Sequence, residues 1–195
     1  MANNKYCGNV SDYAPVSEDQ SRVVIMYGLK EDGDKAEWYQ IDFYKKQGKP
    51  SFGAAKKAIE EDINARVDDA ILCGYPWTIL HGDDAGKAVK VWLSKENQSN
   101  FKAKYDLHFT KPEALTFPTL YKVAEDENGD AVFEEFQSFE ELEQFYLGGL
   151  GYIEQCYQAG WAEKKAIDWT PYAEALQPVT EKTEESGTKK TTRKK

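Results

Sequence analysis

FPTLYKVAEDENGDAVFEEFQSFEELEQFYLGGLGYIEQCYQAGWAEKKAI, residues Phe117–Ile167, decides how this chain folds. Two apolar-rich runs, Phe117–Ala124 and Ala131–Phe136, flank Asn128-Gly129. Asn-Gly between such runs is the strongest short signal for a hairpin, because a two-residue turn needs positive φ at its centre. Ser138 and Glu141 then form a capping box, in which the hydroxyl takes an early helix amide and the carboxylate reaches back. The spacing predicts a long helix from Phe139 to about Ile167, with Leu142, Phe145, Tyr146, Gly149, Tyr152, Ile153, Cys156 and Gly160 on its packing face. Gly148, Gly149 and Gly151 each cost a helix roughly 1 kcal/mol against Ala. They imply a kink or the close approach of another backbone, such as a two-fold mate. Trp169-Thr-Pro171 is expected to stop the helix.

The same rhythm recurs upstream. Arg22–Leu29 is a β-branched run, Ala36–Tyr44 is a second strand, and Asp32-Gly33 marks the turn between them. Ser51 caps a helix through about Cys73, with Ala55, Ile59, Ile63, Val67 and Ile71 on one face and most of its charge elsewhere. Gly74 reads as its left-handed C-terminal cap. Tyr75–Leu80 and Ala88–Leu93 make a further hairpin around Gly82 and Gly86, and Ser94 caps a helix carrying Phe101 and Tyr105. Hairpins alternate with helices, and no parallel β-α-β pattern is visible. The expected class is α+β, with antiparallel sheet elements packed on a few helices including one long C-terminal helix. The expected divisions are an irregular arm over 1–20, a β-hairpin module over 21–48, an α+β domain over 51–172, and a disordered basic tail over 176–195.

The net charge is −9, but it is unevenly placed. From Glu181 onward six basic residues outnumber three acidic ones, so the tail carries +3 and the rest carries −12. An acidic body repels phosphate, which argues against nucleic acid as its partner. No apolar run approaches the roughly 18 residues needed to span a bilayer. The three cysteines, Cys7, Cys73 and Cys156, are scattered and read as reduced thiols, the latter two as buried. With two histidines and no clustered ligands, neither a metal nor a cofactor is expected. His81 reads as a turn residue and His108 as a helix-end residue, neither beside a nucleophile motif. Gly148-Gly-Leu-Gly151 falls inside a helical pattern and not between a strand and a helix, so it is no phosphate loop. The chemistry points away from catalysis.

What remains are residues suited to contacts. Trp77 and Trp92 lie on hairpin strands and read as core. Trp161 and Trp169 read as interface residues. Asn97, Gln98 and Asn100 present donors and acceptors on one helix turn, for a neighbouring subunit or for local capping. With Gly148, Gly149 and Tyr152 these form the candidate interface.

The residues Ala58–Ile71, then Gly74-Tyr-Pro-Trp77, then Leu93-Ser-Lys-Glu-Asn-Gln98 within Val91–Asp106, resemble proteins encoded by crAss-like and related tailed phages of gut bacteria. Phe133–Asp168, with Gly160-Trp161 and Lys164-Lys165-Ala-Ile-Asp168, is similar to the same proteins and to a domain of unknown function attached to tail fibres. The resemblance covers about Lys56 to Asp168, and Leu-Ser-x-Glu-Asn-Gln is its most specific string. It implies a head-fibre or tail-appendage component, made in the cytoplasm of the bacterial host and incorporated into the virion. Such a chain would dock on other virion proteins (capsid, portal-proximal or fibre subunits) and form a homodimer or higher homo-oligomer. An assembly chaperone absent from the particle, an enzyme, or an acidic host-directed inhibitor are the alternatives.

Overall fold

The computed structural model describes residues 5–177. It is an α+β protein, as the alternation of hairpins and helices requires. The described chain makes two compact units, one from 5–56 with 168–177, the other from Lys57–Ile167. All but the first two residues of the expected basic tail, 176–195, lie outside the described residues.

The first unit is a four-stranded antiparallel sheet in the order β1-β4-β3-β2. Its centre is the expected hairpin, β3 (Arg22–Asp32) and β4 (Lys35–Tyr44), turning at Gly33 with φ +60°. The stretch 1–20, expected to be an irregular arm, instead supplies both edges: β1 (Lys5–Asn9) pairs with β4, and β2 (Val16–Glu18) pairs with β3. These strands are short and largely exposed, so their ordering comes from partners distant in sequence and not from local pattern. Asp19 tightens the turn from β2 into β3. It accepts the backbone N–H groups of Ser21 at 2.7 Å and Arg22 at 2.8 Å. Those bonds hold its carboxyl well below the usual carboxylate range.

A short helix, α4 (Thr170–Ala175), completes this unit. Pro171 was expected to end a helix; here it sits in the first turn of a new one, where its missing N–H costs nothing. Tyr172 and Leu176 are buried, and the Tyr172 hydroxyl donates to the Met26 carbonyl at 2.6 Å. Burial raises the Tyr172 pKa.

The second unit begins within α1 (Phe52–Gly74), so the expected break near residue 50 falls instead between residues 56 and 57. Then follow the hairpin β5 (Tyr75–Thr78) and β6 (Ala88–Val91), α2 (Lys95–Thr110), the hairpin β7 (Thr119–Glu125) and β8 (Ala131–Phe136), and α3 (Phe139–Ala166). The two hairpins are separate two-stranded sheets. The hairpin forms as expected, but through a five-residue connection and not a two-residue turn: Gly129 alone has positive φ, +84°, and the Asp126 carboxylate accepts the Asn128 and Asp130 N–H groups. Ser138 accepts the Glu141 N–H, and the Glu141 carboxylate reaches back to the Gln137 N–H at 2.8 Å.

The core of this unit is aromatic. Phe145 of α3, 1% exposed, touches Tyr75, Trp77, Phe101 and Phe136 with centroids 5.0–5.8 Å away. Edge-on and tilted rings let the quadrupoles attract, which adds to the area removed from water. Trp92 was expected in this core but is 48% exposed. It alternates with buried Val91 and Leu93, so it must face outward.

Candidate functional site

α3 runs unbroken through its glycines. The helix does not kink, and what approaches Gly148, Gly149 and Gly160 is side chains of the same unit and not the backbone that the sequence reading expected, while Gly151 has open space. A Cβ on Gly148 would meet the Tyr75 hydroxyl, and one on Gly160 would lie 2.5 Å from Val67 Cγ2 of α1. Gly149 is buried beneath Tyr75 and Leu93. Gly74 is not the left-handed cap expected of it, since it is absent from the positive-φ glycines. It is glycine because the Tyr152 ring lies against it, with the hydroxyl donating to the Ala70 carbonyl at 3.0 Å. The Arg66 guanidinium of α1 adds a bond of 2.6 Å to Glu163 of α3.

These contacts set the inner face of α3 against its neighbours and leave two depressions on its outer flank. The first, about 400 Å³, is a groove between α2 and α3. Leu93, Phe101, Phe145 and Gly149 give it an apolar lining, and Lys95, Lys102 and Gln98 are also among its walls. Its size is that of a site for a large side chain or a small ligand. The second, about 200 Å³, lies between α1 and α3 around Gly160 and Trp161, with Asn64, Asp68 and Lys164 around it. Leu150 is 44% exposed, Tyr157 41% and Trp161 59%. Tyr157 and Trp161 hold their rings within 17° of parallel.

The sequence candidates separate on this framework. Gln98 and Gly149 come together in the groove, and Trp161 belongs to the second depression. Asn97 and Gln98 donate their amides to the Trp92 and Leu93 carbonyls at 2.8 and 2.7 Å, the local capping that was the alternative reading. Asn100 is exposed on α2. Gly148 and Tyr152 face into the unit. Trp169 belongs to the other unit, edge-on to Phe52 and beneath the Lys56 ammonium.

One polar cluster escaped the sequence reading. Glu134 of β8 is fully buried. Its carboxylate accepts the Trp77 indole N–H at 2.6 Å and the backbone N–H groups of Leu80 and His81 at 2.9 and 3.2 Å. The His81 ring nitrogen pairs with Glu141 at 2.9 Å. A signal existed: Val132, Glu134 and Phe136 alternate inward along β8, which places the carboxylate in the core. The arrangement uses Glu134 as an acceptor that ties the loop after β5 to β8. His81, expected as a plain turn residue, latches that loop to α3. His108 stacks on Phe139 with centroids 3.5 Å apart. Cys73, expected buried, is exposed like Cys7, while Cys156 is half-buried.

The His81 latch titrates. The hydrogen bond to Glu141 raises the His81 pKa above its ordinary value, against an opposing desolvation. A raised folded-state pKa contributes stability fully present below the unfolded value of about 6.5 and lost as pH rises through the folded value. Urea midpoints measured between about pH 6 and 9 are expected to fall in the wild type, and to lose that component of the fall in His81→Gln. An identical pH profile in both proteins would show the latch to be uncharged throughout.

Among the described residues no group of three or more His, Cys, Asp or Glu side chains is placed to hold a metal, and no helix is long and apolar enough to cross a membrane. Compared with protein-family models, curated proteins and solved structures, the chain matches none. The site is therefore read from its own chemistry.

Proposed function

We propose that this chain is a non-enzymatic structural component of a phage virion, part of a head fibre or tail appendage, acting through oligomerisation and docking to other virion proteins. The observation that carries the binding half of this reading is the outer flank of α3. It combines an apolar groove of about 400 Å³ with exposed Leu150, Tyr157 and Trp161 on one helix face. Large apolar side chains exposed beside an apolar groove are the kind of surface that proteins use for interaction. The virion half of the reading is supported by the resemblance of Lys56–Asp168 to appendage proteins of tailed phages.

Mass spectrometry of gradient-purified particles, calibrated against the portal, is the test. The expected result is this chain at tens of copies or more per particle, in a number that follows capsid or tail symmetry. Abundant chain in the infected-cell lysate with none in particles overturns the reading, and leaves an assembly chaperone or a host-directed inhibitor.

A further inference from the structure

The groove between α2 and α3 carries charge of one sign. Lys95 and Lys102 are among its lining residues, and no aspartate or glutamate is. The chain as a whole has a net charge of −9, so the chemistry of this place departs from that of the protein. The two ammonium groups are not equivalent. Lys102 is paired with Asp106, one turn further along α2. Among the described residues Lys95 has no carboxylate partner. Gln98 and Ser99 are satisfied locally, donating to the Leu93 and Lys95 carbonyls at 2.7 and 2.8 Å. The charge left to be met in the lining is the Lys95 ammonium.

We propose that this groove binds a small amphipathic monocarboxylate, with its carboxylate on Lys95 and its aliphatic chain along the apolar lining between α2 and α3. A volume of about 400 Å³ lies in the range of small-ligand sites, which are mainly apolar and use a few polar groups to fix orientation. The two ends of the groove set the direction. Lys95 is the first residue of α2, where the helix dipole also favours negative charge. Nearby Leu93 has its Cδ2 3.9 Å from where a Cβ on Gly149 would stand. Lys102 lies two turns further along α2, about 10 Å by helix rise, and close to Tyr146. An unbranched acid of about ten carbons covers that length. Its chain runs from Lys95 over Phe101 and Phe145 toward Tyr146. One negative charge matches one unpaired ammonium, since Lys102 is already neutralised.

The chain of the ligand supplies most of the affinity. Each methylene buried gives about a four-fold gain, whereas an exposed ion pair gives about five-fold at most. The lining therefore selects length, and Lys95 selects the sign of the head group. This assignment goes beyond the docking role proposed above, for which Tyr157 and Trp161 of the same helix remain exposed.

Decanoate titrated into the full-length, ¹⁵N-labelled chain tests it, with amide chemical shifts as the readout and hexanoate and decylammonium as comparison probes. Decanoate is expected to shift the amides of Ser99, Gly149, Leu150 and Ile153 saturably, with a Kd of about 1 mM or below, and to leave those of β1 to β4 in place. Hexanoate is expected to bind at least about ten-fold more weakly. Decylammonium, with the same length of chain and the opposite charge, is expected to bind about five-fold more weakly. Lys95→Glu is expected to weaken decanoate about five-fold and to remove its advantage over decylammonium, whereas Lys95→Arg retains both. Lys95 is exposed, so both variants should keep the wild-type unfolding midpoint. The absence of saturable shifts up to about 5 mM decanoate overturns the proposal and leaves the groove to an apolar side chain of a protein partner. Shifts spread equally over β1 to β4, equal binding of decanoate and decylammonium, or a Lys95→Glu chain that binds decanoate as the wild type does overturn it too. The titration uses purified protein, so it stands or falls apart from the particle analysis.

Discussion

Glu134→Ala is expected to lower the unfolding free energy by about 3–5 kcal/mol. The carboxylate is fully buried and accepts four N–H groups, those of Trp77, Leu80, His81 and Glu135, at 2.6–3.2 Å. Truncation leaves those donors without their acceptor in a site that admits little water. An unmade bond there costs far more than the net gain of making it. Glu134→Gln retains the shape and one acceptor oxygen but turns an amide toward donors, so a smaller loss is expected. Equilibrium urea unfolding of the three proteins checks this. A loss below about 1 kcal/mol in Glu134→Ala would mean that the loop after β5 finds other acceptors and that the carboxylate does not organise it.

Phe145→Ala is expected to cost about 3–5 kcal/mol, the usual range for deleting a buried aromatic ring. Phe145 is 1% exposed and touches rings from β5, α2 and β8, so no single neighbour can fill the gap. Its ring also lines the groove beside α3. The variant therefore deepens the groove while weakening the unit beneath it. Phe133→Ala, on the opposite face of β8 and 42% exposed, is the control and should stay within about 0.5 kcal/mol of wild type. Similar losses in both variants would show that burial at Phe145 does not set the stability of this unit.

Much of the fold was legible because its signals are local. Gly33 and Gly129 supply the positive φ of their turns, and Ser138 with Glu141 fixes a helix start through four residues. The alternation of hairpin and helix followed from those signals. What was not legible depends on partners far along the chain. β1 and β2 are ordered by β4 and β3. Gly74 is explained by Tyr152, and Gly160 by Val67, neither of which a reading of helix ends or propensity can see. Two features were legible and missed. The in-out alternation around Val91-Trp92-Leu93 turns Trp92 to solvent, and that of β8 turns Glu134 to the core. In both, residue type outweighed position. At the α3 face, sequence supplied Gly149, Gln98 and Trp161 as separate candidates. Only the packing of α2 and α1 against α3 shows that Gln98 and Gly149 share one groove and that Trp161 belongs to the other depression.

The first unit is assembled from the two ends of the described chain, with all of Lys57–Ile167 lying between them in sequence. During synthesis the order of events is therefore fixed. The strands β1 to β4 emerge first but wait for Tyr172 and Leu176, while the intervening unit has its whole sequence available earlier. The Met26 carbonyl, which accepts the Tyr13 hydroxyl at 3.4 Å, gains its shorter bond only when the Tyr172 hydroxyl arrives, 146 residues later. The last helix thus acts as a clasp, closing the first-made part of the protein only when the later-made part is already complete.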